Sequence, residues 1–200
     1  ISYIETVKNK PFFCYITTNA PHSPFNVPAE YYEPYKGYDI PESQKRFYGM
    51  ITNIDDNFKK LQDALARLNI ADNTILIFMT DNGTSNGYKK VKGKWIGFNA
   101  GMKGTKNSEY EGGHRVPFFI SYPNGNIGGG KDVPTLTANV DVLPTLSSLC
   151  GLKTPNRELD GMDISPLLTG KAKTLNRNYL ITDSQRLQEP KKWKKSAVMS

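Results

Sequence analysis

A chain of 200 residues with a hydrophobic content of 38% can form a folded domain with its own core, so the composition argues against a disordered protein. The 26 basic and 19 acidic side chains give a formal charge of +7, which favours anionic partners such as nucleic acid, acidic glycans or sulfate esters. No run of about 18 apolar residues indicates a membrane span, no signal peptide is present, and two cysteines, Cys14 and Cys150, are too few for a disulfide framework.

The first predicted strand covers residues 11–18, an apolar and aromatic run with the sequence Pro-Phe-Phe-Cys-Tyr-Ile-Thr-Thr. A polar loop follows, in which His22 stands between Pro21 and Pro24, and the two prolines hold the backbone extended. A histidine in this position can project into a site at the end of the strand. The alternative is an ordinary surface histidine, and these residues alone favour neither.

A long helix is predicted over residues 41–69 because apolar side chains recur along it at steps of three and four. Asp55 and Asp56 lie inside it, but adjacent residues diverge by about 100° around a helix axis. We therefore assign this pair to a solvated face rather than to a metal site. The helix leads to a second strand over residues 74–80, and strand, helix and strand together predict a βαβ unit with a right-handed crossover.

Polar residues follow this second strand directly, in the order Asp81, Asn82 and Gly83. The strand is mostly apolar, so it is expected to be covered on both faces, as in a parallel sheet. Ligands of such sheets collect beyond the carboxyl ends of the strands, and hard cations such as Ca²⁺ or Mg²⁺ take oxygen ligands of the kind an aspartate and an asparagine supply. The alternative is an ordinary Asn-Gly turn.

Residues 84–115 are rich in glycine and lysine and show little periodicity, which predicts a long loop. Lysines near the carboxyl edge of a sheet can neutralise a tetrahedral oxyanion, or they can belong to a flexible basic loop. A third apolar strand is predicted over residues 116–122. Four more lysines cluster within residues 191–195, where a solvated face and an anion-binding surface are both open interpretations.

The last third of the chain predicts shorter elements. Residues 125–131 have the glycine and lysine spacing of a phosphate-binding loop, but Asp132 stands where a serine or threonine should bind Mg²⁺, so we predict a surface turn. A helix that ends in a glycine cap at Gly151 is predicted over residues 139–151, and a brief helix near Ser165. A fourth strand is predicted over residues 178–182.

Taken in order, several short stretches resemble the sulfatase family of the alkaline phosphatase superfamily, and the similarity is greatest to arylsulfatase-type enzymes that process sulfated sugars. The stretches are Pro-His-Ser-Pro at 21–24, Thr-Asp-Asn-Gly at 80–83, the 106–117 segment with its Tyr-Glu-Gly-Gly-His-Arg-Val-Pro core, Val-Asp-Val-Leu-Pro-Thr-Leu at 140–146, and Asp-Gly at 160–161. Each is weak alone, whereas their order and spacing are specific.

The resemblance implies roles for four residues. Asp81 and Asn82 would be two ligands of an active-site divalent cation, Ca²⁺ in preference to Mg²⁺. Lys106 matches the family lysine that binds sulfate, and His22 matches the histidine that contacts the sulfate ester near its leaving oxygen. In the family, a cysteine-derived formylglycine hydrate attacks the sulfur and an alcohol leaves. A sulfated small molecule or glycan is therefore the implied substrate.

The chain also departs from the family pattern. The nucleophile motif is absent, since neither Cys14 nor Cys150 is followed by it, and so is the early acidic pair that supplies the other metal ligands. Both would lie before residue 1, and a smaller carboxy-terminal sheet would follow residue 200. Asn107 stands where a glycine is usual, which questions the local loop conformation. We expect residues 1–200 to be one partial catalytic domain, α/β with a partly parallel sheet flanked by helices, and inactive alone.

Two other functions compete with sulfate ester hydrolysis. A phosphoesterase or phosphomutase of the same superfamily is one, although Asp-Asn rather than Asp-His favours one hard cation over two zinc ions. A non-catalytic module that binds acidic glycans is the other. No nucleic-acid-binding signature is present, no membrane association is expected, and the oligomeric state is left open. For the intact protein, the resemblance implies a periplasmic or secreted location.

Overall fold

The computed structural model describes residues 1–153 and 156–200. Its α-helices are α1 (Ser2–Val7), α2 (Ala29–Tyr32), α3 (Glu42–Arg67), α4 (Glu111–His114), α5 (Val142–Leu149) and α6 (Ser165–Leu168). Its strands are β1 (Leu76–Met79), β2 (Tyr88–Val91), β3 (Lys94–Gly97), β4 (Phe118–Ser121), β5 (Leu180–Asp183) and β6 (Ser196–Met199). Single 3-10 turns lie at Glu33–Tyr35, Ala71–Asn73, Pro123–Gly125 and Asn139–Asp141.

The described residues divide into two compact units. The first comprises Ile1–Ala71 and Asp81–Val116, and the second comprises Asp72–Thr80 and Pro117–Ser200. Of the helices in the described part of the chain, none combines the length and apolar character that a bilayer crossing requires. Within the same ranges, both cysteines are exposed free thiols.

The first unit is built on α3, which confirms the predicted long helix. Its apolar side chains repeat with the helical period and bury one face, with Phe47, Met50 and Leu65 each less than 9% exposed. Gly49 lets α2 approach closely, because a Cβ at this position would lie 2.9 Å from the Cβ of Tyr32. Asp55 and Asp56 are exposed on the opposite face, as expected for solvated side chains.

The second unit contains the antiparallel pair β1–β4, in which Leu76 lies opposite Ser121 and Met79 opposite Phe118. The second and third predicted strands are thereby confirmed in position. β1 is half-buried along its whole length, so the expectation of a strand fully covered on both faces is wrong within the described residues. The core of this unit lies elsewhere, in a cluster of four buried side chains: Ile127, Ile164, Leu167 and Leu168.

The shorter predicted elements of the second unit are confirmed. α5 ends at Leu149 and is capped by Gly151, whose φ of +64° is the left-handed conformation that glycine adopts readily. Its N–H donates to the Ser148 carbonyl, and the Leu152 N–H donates to the Ser147 carbonyl, the paired bonds of a Schellman cap. α6 and β5 occupy the predicted brief helix and fourth strand. The surface turn predicted over residues 125–131 is confirmed in part: residues 128–131 are exposed, whereas Ile127 is 4% exposed and belongs to the core.

The first predicted strand is wrong in this structure. Residues 11–18 have no strand assignment, and Phe13, Tyr15 and Ile16 are 74%, 81% and 59% exposed. An extended segment becomes a strand only when a neighbouring strand takes its backbone hydrogen bonds, and within the described ranges none pairs with it. The predicted βαβ unit is absent for the same reason, and every strand pair in those ranges is antiparallel.

The long glycine- and lysine-rich loop is more ordered than predicted. β2 and β3 form an antiparallel hairpin inside it, and α4 makes one helical turn near its end. The turn between the strands is Lys92-Gly93, and both residues have positive φ, as two-residue hairpin turns require. The residue–glycine pair at the turn was the available local signal, and it was weak because neither flanking run alternates apolar and polar side chains.

Candidate functional site

Asp81 and Asn82 follow β1 in the chain and belong to the first unit. The Asp81 side chain is exposed, and among the described residues it makes no hydrogen bond or ion pair. Asn82 is half-buried, and its Nδ2 donates to the Gly83 carbonyl over 3.0 Å. A carboxylate without a protein partner in these ranges, next to an oriented amide, is chemically suited to a hard cation.

A glycine pair holds the backbone that continues from Asn82. The Gly83 N–H donates to the Gly113 carbonyl over 2.9 Å. A Cβ on Gly83 would overlap the Gly112 carbonyl oxygen, and a Cβ on Gly112 would overlap the carbonyl oxygen of Gly104. The two loops therefore touch backbone to backbone, which only residues without a side chain permit.

A backbone hydrogen bond connects Lys106 to the stretch of chain that follows Asp81. The Lys106 N–H donates to the Thr84 carbonyl over 2.9 Å, and Thr84 is the third residue after Asp81, a span of at most about 11 Å. The side chain is half-buried, and in the described ranges its ammonium has no ion pair or hydrogen bond. The structure thus brings the Lys106 backbone beside the Asp81–Asn82 turn, as a sulfate-binding lysine would require.

Asn107 stands where the family resemblance implies a glycine, and its backbone is in the region that glycine favours. Its φ of +70° lies in the left-handed region, which asparagine tolerates better than most other residues with a side chain. The Ser108 N–H donates back to the Thr105 carbonyl over 3.0 Å. The loop around Lys106 is therefore compatible with asparagine at this position.

Asn99 supports this loop and was not singled out from the sequence. It is 7% exposed, and its Nδ2 donates to the carbonyls of Met102 and Gly104 over 2.7 and 3.1 Å. The Lys103 carbonyl in turn accepts the Gly112 N–H over 2.8 Å. An asparagine within a polar stretch has the pattern of any loop residue, so only its burial reveals that it fixes the backbone before Lys106.

His22 lies in an exposed loop of the first unit. Its ring nitrogen Nδ1 is 2.8 Å from the Ser23 carbonyl oxygen, which can only accept, so this bond places a hydrogen on Nδ1. Nε2 is then the nitrogen that is left to accept or carry an exchangeable proton. The described hydrogen bonds tie the Lys106 loop to the stretch after Asp81, whereas the described bond of His22 is to its neighbour Ser23.

The oxygen donors present suit a hard divalent cation but form only part of a ligand set. An aspartate carboxylate and an asparagine amide are the ligand types that Ca²⁺ and Mg²⁺ prefer. Across residues 1–153 and 156–200, no group of three or more His, Cys, Asp or Glu side chains is arranged to hold a metal. Asp81 and Asn82 therefore fit a share of such a site, to be completed by other ligands.

Comparison with known proteins decides the family. The family model described as Sulfatase matches residues 1–152. The chain belongs to the sulfatase family. It is 32% identical over 169 residues to arylsulfatase A from Homo sapiens, a match that covers 84% of this chain and 30% of that protein. It is 31% identical over 163 residues to N-acetylgalactosamine-6-sulfatase from Homo sapiens, covering 80% of this chain and 29% of that protein.

Solved structures are similar to this sulfatase chain in fold as well as in sequence. Ps i-CgsB matches with a TM-score of 0.80 and 30% identity, over 92% of this chain and 40% of that one. Its complex with k-i-k-neocarrahexaose matches with a TM-score of 0.72 and 33% identity, over 82% and 35%. The predicted α/β fold of the alkaline phosphatase kind is confirmed. The chain spans between 29% and 40% of the length of these four matches.

Proposed function

We propose that the parent protein hydrolyses sulfate esters and that this segment supplies part of its metal site and part of its sulfate pocket. The observation that carries the proposal is the hydrogen bond between the Lys106 N–H and the Thr84 carbonyl, three residues after Asp81. It ties an ammonium-bearing loop to a carboxylate that has no partner among the described residues. An anion-binding group and a cation-binding group are thereby attached to one stretch of backbone.

Asp81 and Asn82 would hold one divalent cation through their carboxylate and amide oxygens, with Ca²⁺ preferred over Mg²⁺. When bound, such an ion supplies positive charge that stabilises the oxygens of the sulfate group. The remaining ligands would come from outside residues 1–200. Among the described residues, no protein cation pairs with the Asp81 carboxylate. This leaves the carboxylate available, because an ion pair there would compete with the metal.

Lys106 would bind a non-bridging oxygen of the sulfate ester. Lys106 is half-buried as a residue and its backbone is held by the Thr84 carbonyl, so its ammonium would meet the developing negative charge with little reorganisation. When the bond between sulfur and the ester oxygen breaks, that oxygen leaves as an alcohol and needs a proton. With both ring nitrogens protonated, His22 would supply it from Nε2 and become neutral, because the Nδ1 hydrogen is engaged with the Ser23 carbonyl. The nucleophile, a formylglycine, would lie outside this segment, which alone would be inactive.

The substrate class that we propose is a sulfated glycan. Two relatives point this way: one acts, by its name, on N-acetylgalactosamine-6-sulfate, and the other binds a neocarrahexaose. The chain itself carries a formal charge of +7, which attracts polyanionic chains. We also propose that residues 1–200 form part of one catalytic domain and that the parent protein is exported, as the family resemblance implies.

The experiment is to express the full-length protein and compare its hydrolysis of 4-nitrophenyl sulfate and 4-nitrophenyl phosphate. We expect cleavage of the sulfate, loss of activity with a chelator, recovery with Ca²⁺, and a formylglycine-containing peptide by mass spectrometry. Metal analysis should find one divalent ion per chain, and Asp81→Asn should lower that occupancy. Preference for the phosphate with two zinc ions bound would instead establish the phosphoesterase. Inactivity on both esters, with salt-sensitive binding to sulfated glycans, would establish the binding module.

A further inference from the structure

The β2–β3 hairpin presents an aromatic and basic face that the proposed catalytic roles do not use. In its antiparallel register, Lys90 lies opposite Trp95 and Tyr88 lies opposite Gly97, so all four share one face. The rings of Tyr88 and Trp95 are stacked, with centroids 4.8 Å apart and planes 10° from parallel. Trp95 is nevertheless 55% exposed, so one face of the indole is open to solvent.

The hairpin is held firmly at its base. Gln44 of α3 is fully buried, and its Nε2 donates to the carbonyls of Gly87 and Ile96 over 3.1 and 3.2 Å. The Tyr48 hydroxyl donates to the same Gly87 carbonyl over 2.7 Å. Gly97 has a φ of +103°, and a Cβ there would overlap the Gly87 carbonyl oxygen and Gln44 Nε2. The open indole is therefore presented by a fixed element, and binding to it costs little ordering.

The hairpin is also strongly and uniformly basic. Residues 82–108 contain six lysines and no aspartate or glutamate. Lys90, Lys92 and Lys94 are exposed, and in the described ranges none of them forms an ion pair. Lys89 differs, because its ammonium binds Ser43 Oγ and Asn86 Oδ1 over 2.9 Å each. Charge of one sign beside an open aromatic ring suits a ligand that carries both anionic groups and a flat apolar surface.

The hairpin begins where the candidate metal and sulfate residues end. The Gly87 N–H donates to Thr84 Oγ1 over 2.9 Å, and the carbonyl of the same Thr84 accepts the Lys106 N–H. Gly87 is the fifth residue after Asn82, a span of at most about 18 Å. A chain of sugars with one sulfate near Lys106 would therefore have further sugars within reach of the hairpin.

We propose that the β2–β3 hairpin binds a second anionic sugar of a sulfated polysaccharide substrate, next to the sugar that loses its sulfate. The C–H face of that sugar ring would lie against Trp95, and its sulfate or carboxylate would pair with Lys90. This inference rests on the proposed sulfatase function and deepens it, because it makes the substrate a polymer rather than a single sulfated unit. The hairpin would set affinity for the chain without taking part in bond breaking.

The test uses the full-length protein and a sulfated galactan hexasaccharide of the carrageenan type, with its chemically desulfated form as the second probe. We expect Trp95→Ala to weaken hexasaccharide binding about tenfold in isothermal titration calorimetry. Lys90→Gln should weaken binding of the sulfated form about threefold, less so at high salt, and leave binding of the desulfated form unchanged. Hydrolysis of 4-nitrophenyl sulfate should stay within about twofold of the wild type in both variants, because neither residue contacts the reacting sulfate.

A matched control lies near the other end of the chain, where Trp193 is 80% exposed with Lys192 Nζ 5.0 Å from its ring centroid. Trp193→Ala should leave hexasaccharide binding unchanged. Wild-type binding by Trp95→Ala, or an equal loss in Trp193→Ala, overturns the hairpin proposal even if the sulfatase activity stands. Loss in Trp95→Ala without cleavage of any sulfate ester removes the catalytic proposal and keeps the hairpin as a glycan-binding surface. Near-ultraviolet circular dichroism of each variant confirms that it is folded.

Discussion

Two aspartates, Asp81 in the first unit and Asp141 in the second, have opposite surroundings. Asp141 is fully buried, and its carboxylate accepts the N–H groups of Ala138 and Met162 over 2.8 Å each and a two-bond contact from the Arg177 guanidinium. Asp81 is exposed, and within the described residues it has no such partners. A carboxylate whose lone pairs are all occupied by the protein stabilises the fold, whereas one left open can bind a ligand.

The same contrast extends to the glycines beside each aspartate. Gly161 lies against the backbone of Val140, where a Cβ would overlap the carbonyl oxygen, and so it closes the pocket around Asp141. Gly83 makes an equally close contact with Gly112, but there the contact joins two loops and leaves the preceding carboxylate outside. Both glycines make a close backbone contact, and the tertiary partners give the two contacts different roles.

The largest effect is expected from Arg177→Ala, which leaves the Asp141 carboxylate buried without its cation. Both side chains are at most 5% exposed, so the free energy of unfolding should fall by about 3–5 kcal/mol. Chemical denaturation of the full-length protein measures it. Arg157→Ala, at an exposed position of the same unit, is the control and should change the free energy by less than about 0.5 kcal/mol. Equal values for the two variants would show that the buried pair adds nothing to stability.

Lys106→Ala should leave the free energy of unfolding nearly unchanged but lower turnover of a sulfate ester by about a hundredfold or more, since it removes charge stabilisation at the sulfate. His22→Ala should lower turnover by a similar factor, through loss of the proton donor. Lys60→Ala, at an exposed position on α3, should have no effect on either quantity. Near-normal turnover in both site variants would refute the assignment of the two residues.

Gly112→Ala tests the backbone contact between the Gly83 and Gly112 loops, because it disturbs that contact without changing a charged group. The new methyl would overlap the Gly104 carbonyl oxygen and lie 2.8 Å from that of Lys103. We expect a loss of about 1–3 kcal/mol in the free energy of unfolding, together with reduced turnover because the backbone before Lys106 is displaced. Gly37→Ala is the control, since a methyl group there would meet no atom within 4 Å. Unchanged turnover in Gly112→Ala would show that the loop contact does not position the site residues.

Acid should lower the free energy of unfolding by protonating Asp141. The decrease should be smaller than the decrease in Arg177→Ala. Burial raises the pKa of this carboxyl, but hydrogen bonds from Arg177, Met162 and Ala138 outweigh burial and hold the pKa below its ordinary value. A lowered folded-state pKa gives stability that is present above the unfolded-state pKa of about 3.9 and is lost as the pH falls through the folded-state value. Thermal unfolding between pH 7 and pH 3 should therefore show a shallower acid dependence in Asp141→Asn. Parallel curves for variant and wild type would contradict this.

The local sequence pattern was sufficient to predict an element where its own residues determine its bounds. The long helix α3 follows from apolar side chains at helical spacing, and the end of α5 follows from Gly151, because both hydrogen bonds of its cap are made within a few residues. β1 and β4 were also placed correctly, each within two residues of its predicted bounds. The candidate residues Asp81 and Asn82 were singled out by their position after a strand, and Lys106 and His22 by family resemblance; all four stay predictions.

The sequence by itself thus determined three of the helices, α3, α5 and α6, the positions of three strands, β1, β4 and β5, and the family. Only the tertiary structure decided which strands pair, because a strand's hydrogen bonds depend on residues far away in the chain. It left residues 11–18 without a partner strand among the described residues and turned part of a lysine-rich loop into the β2–β3 hairpin. It also separated Asp141 from Asp81, since whether a carboxylate is occupied or available depends on groups such as Arg177 that lie 36 residues from it.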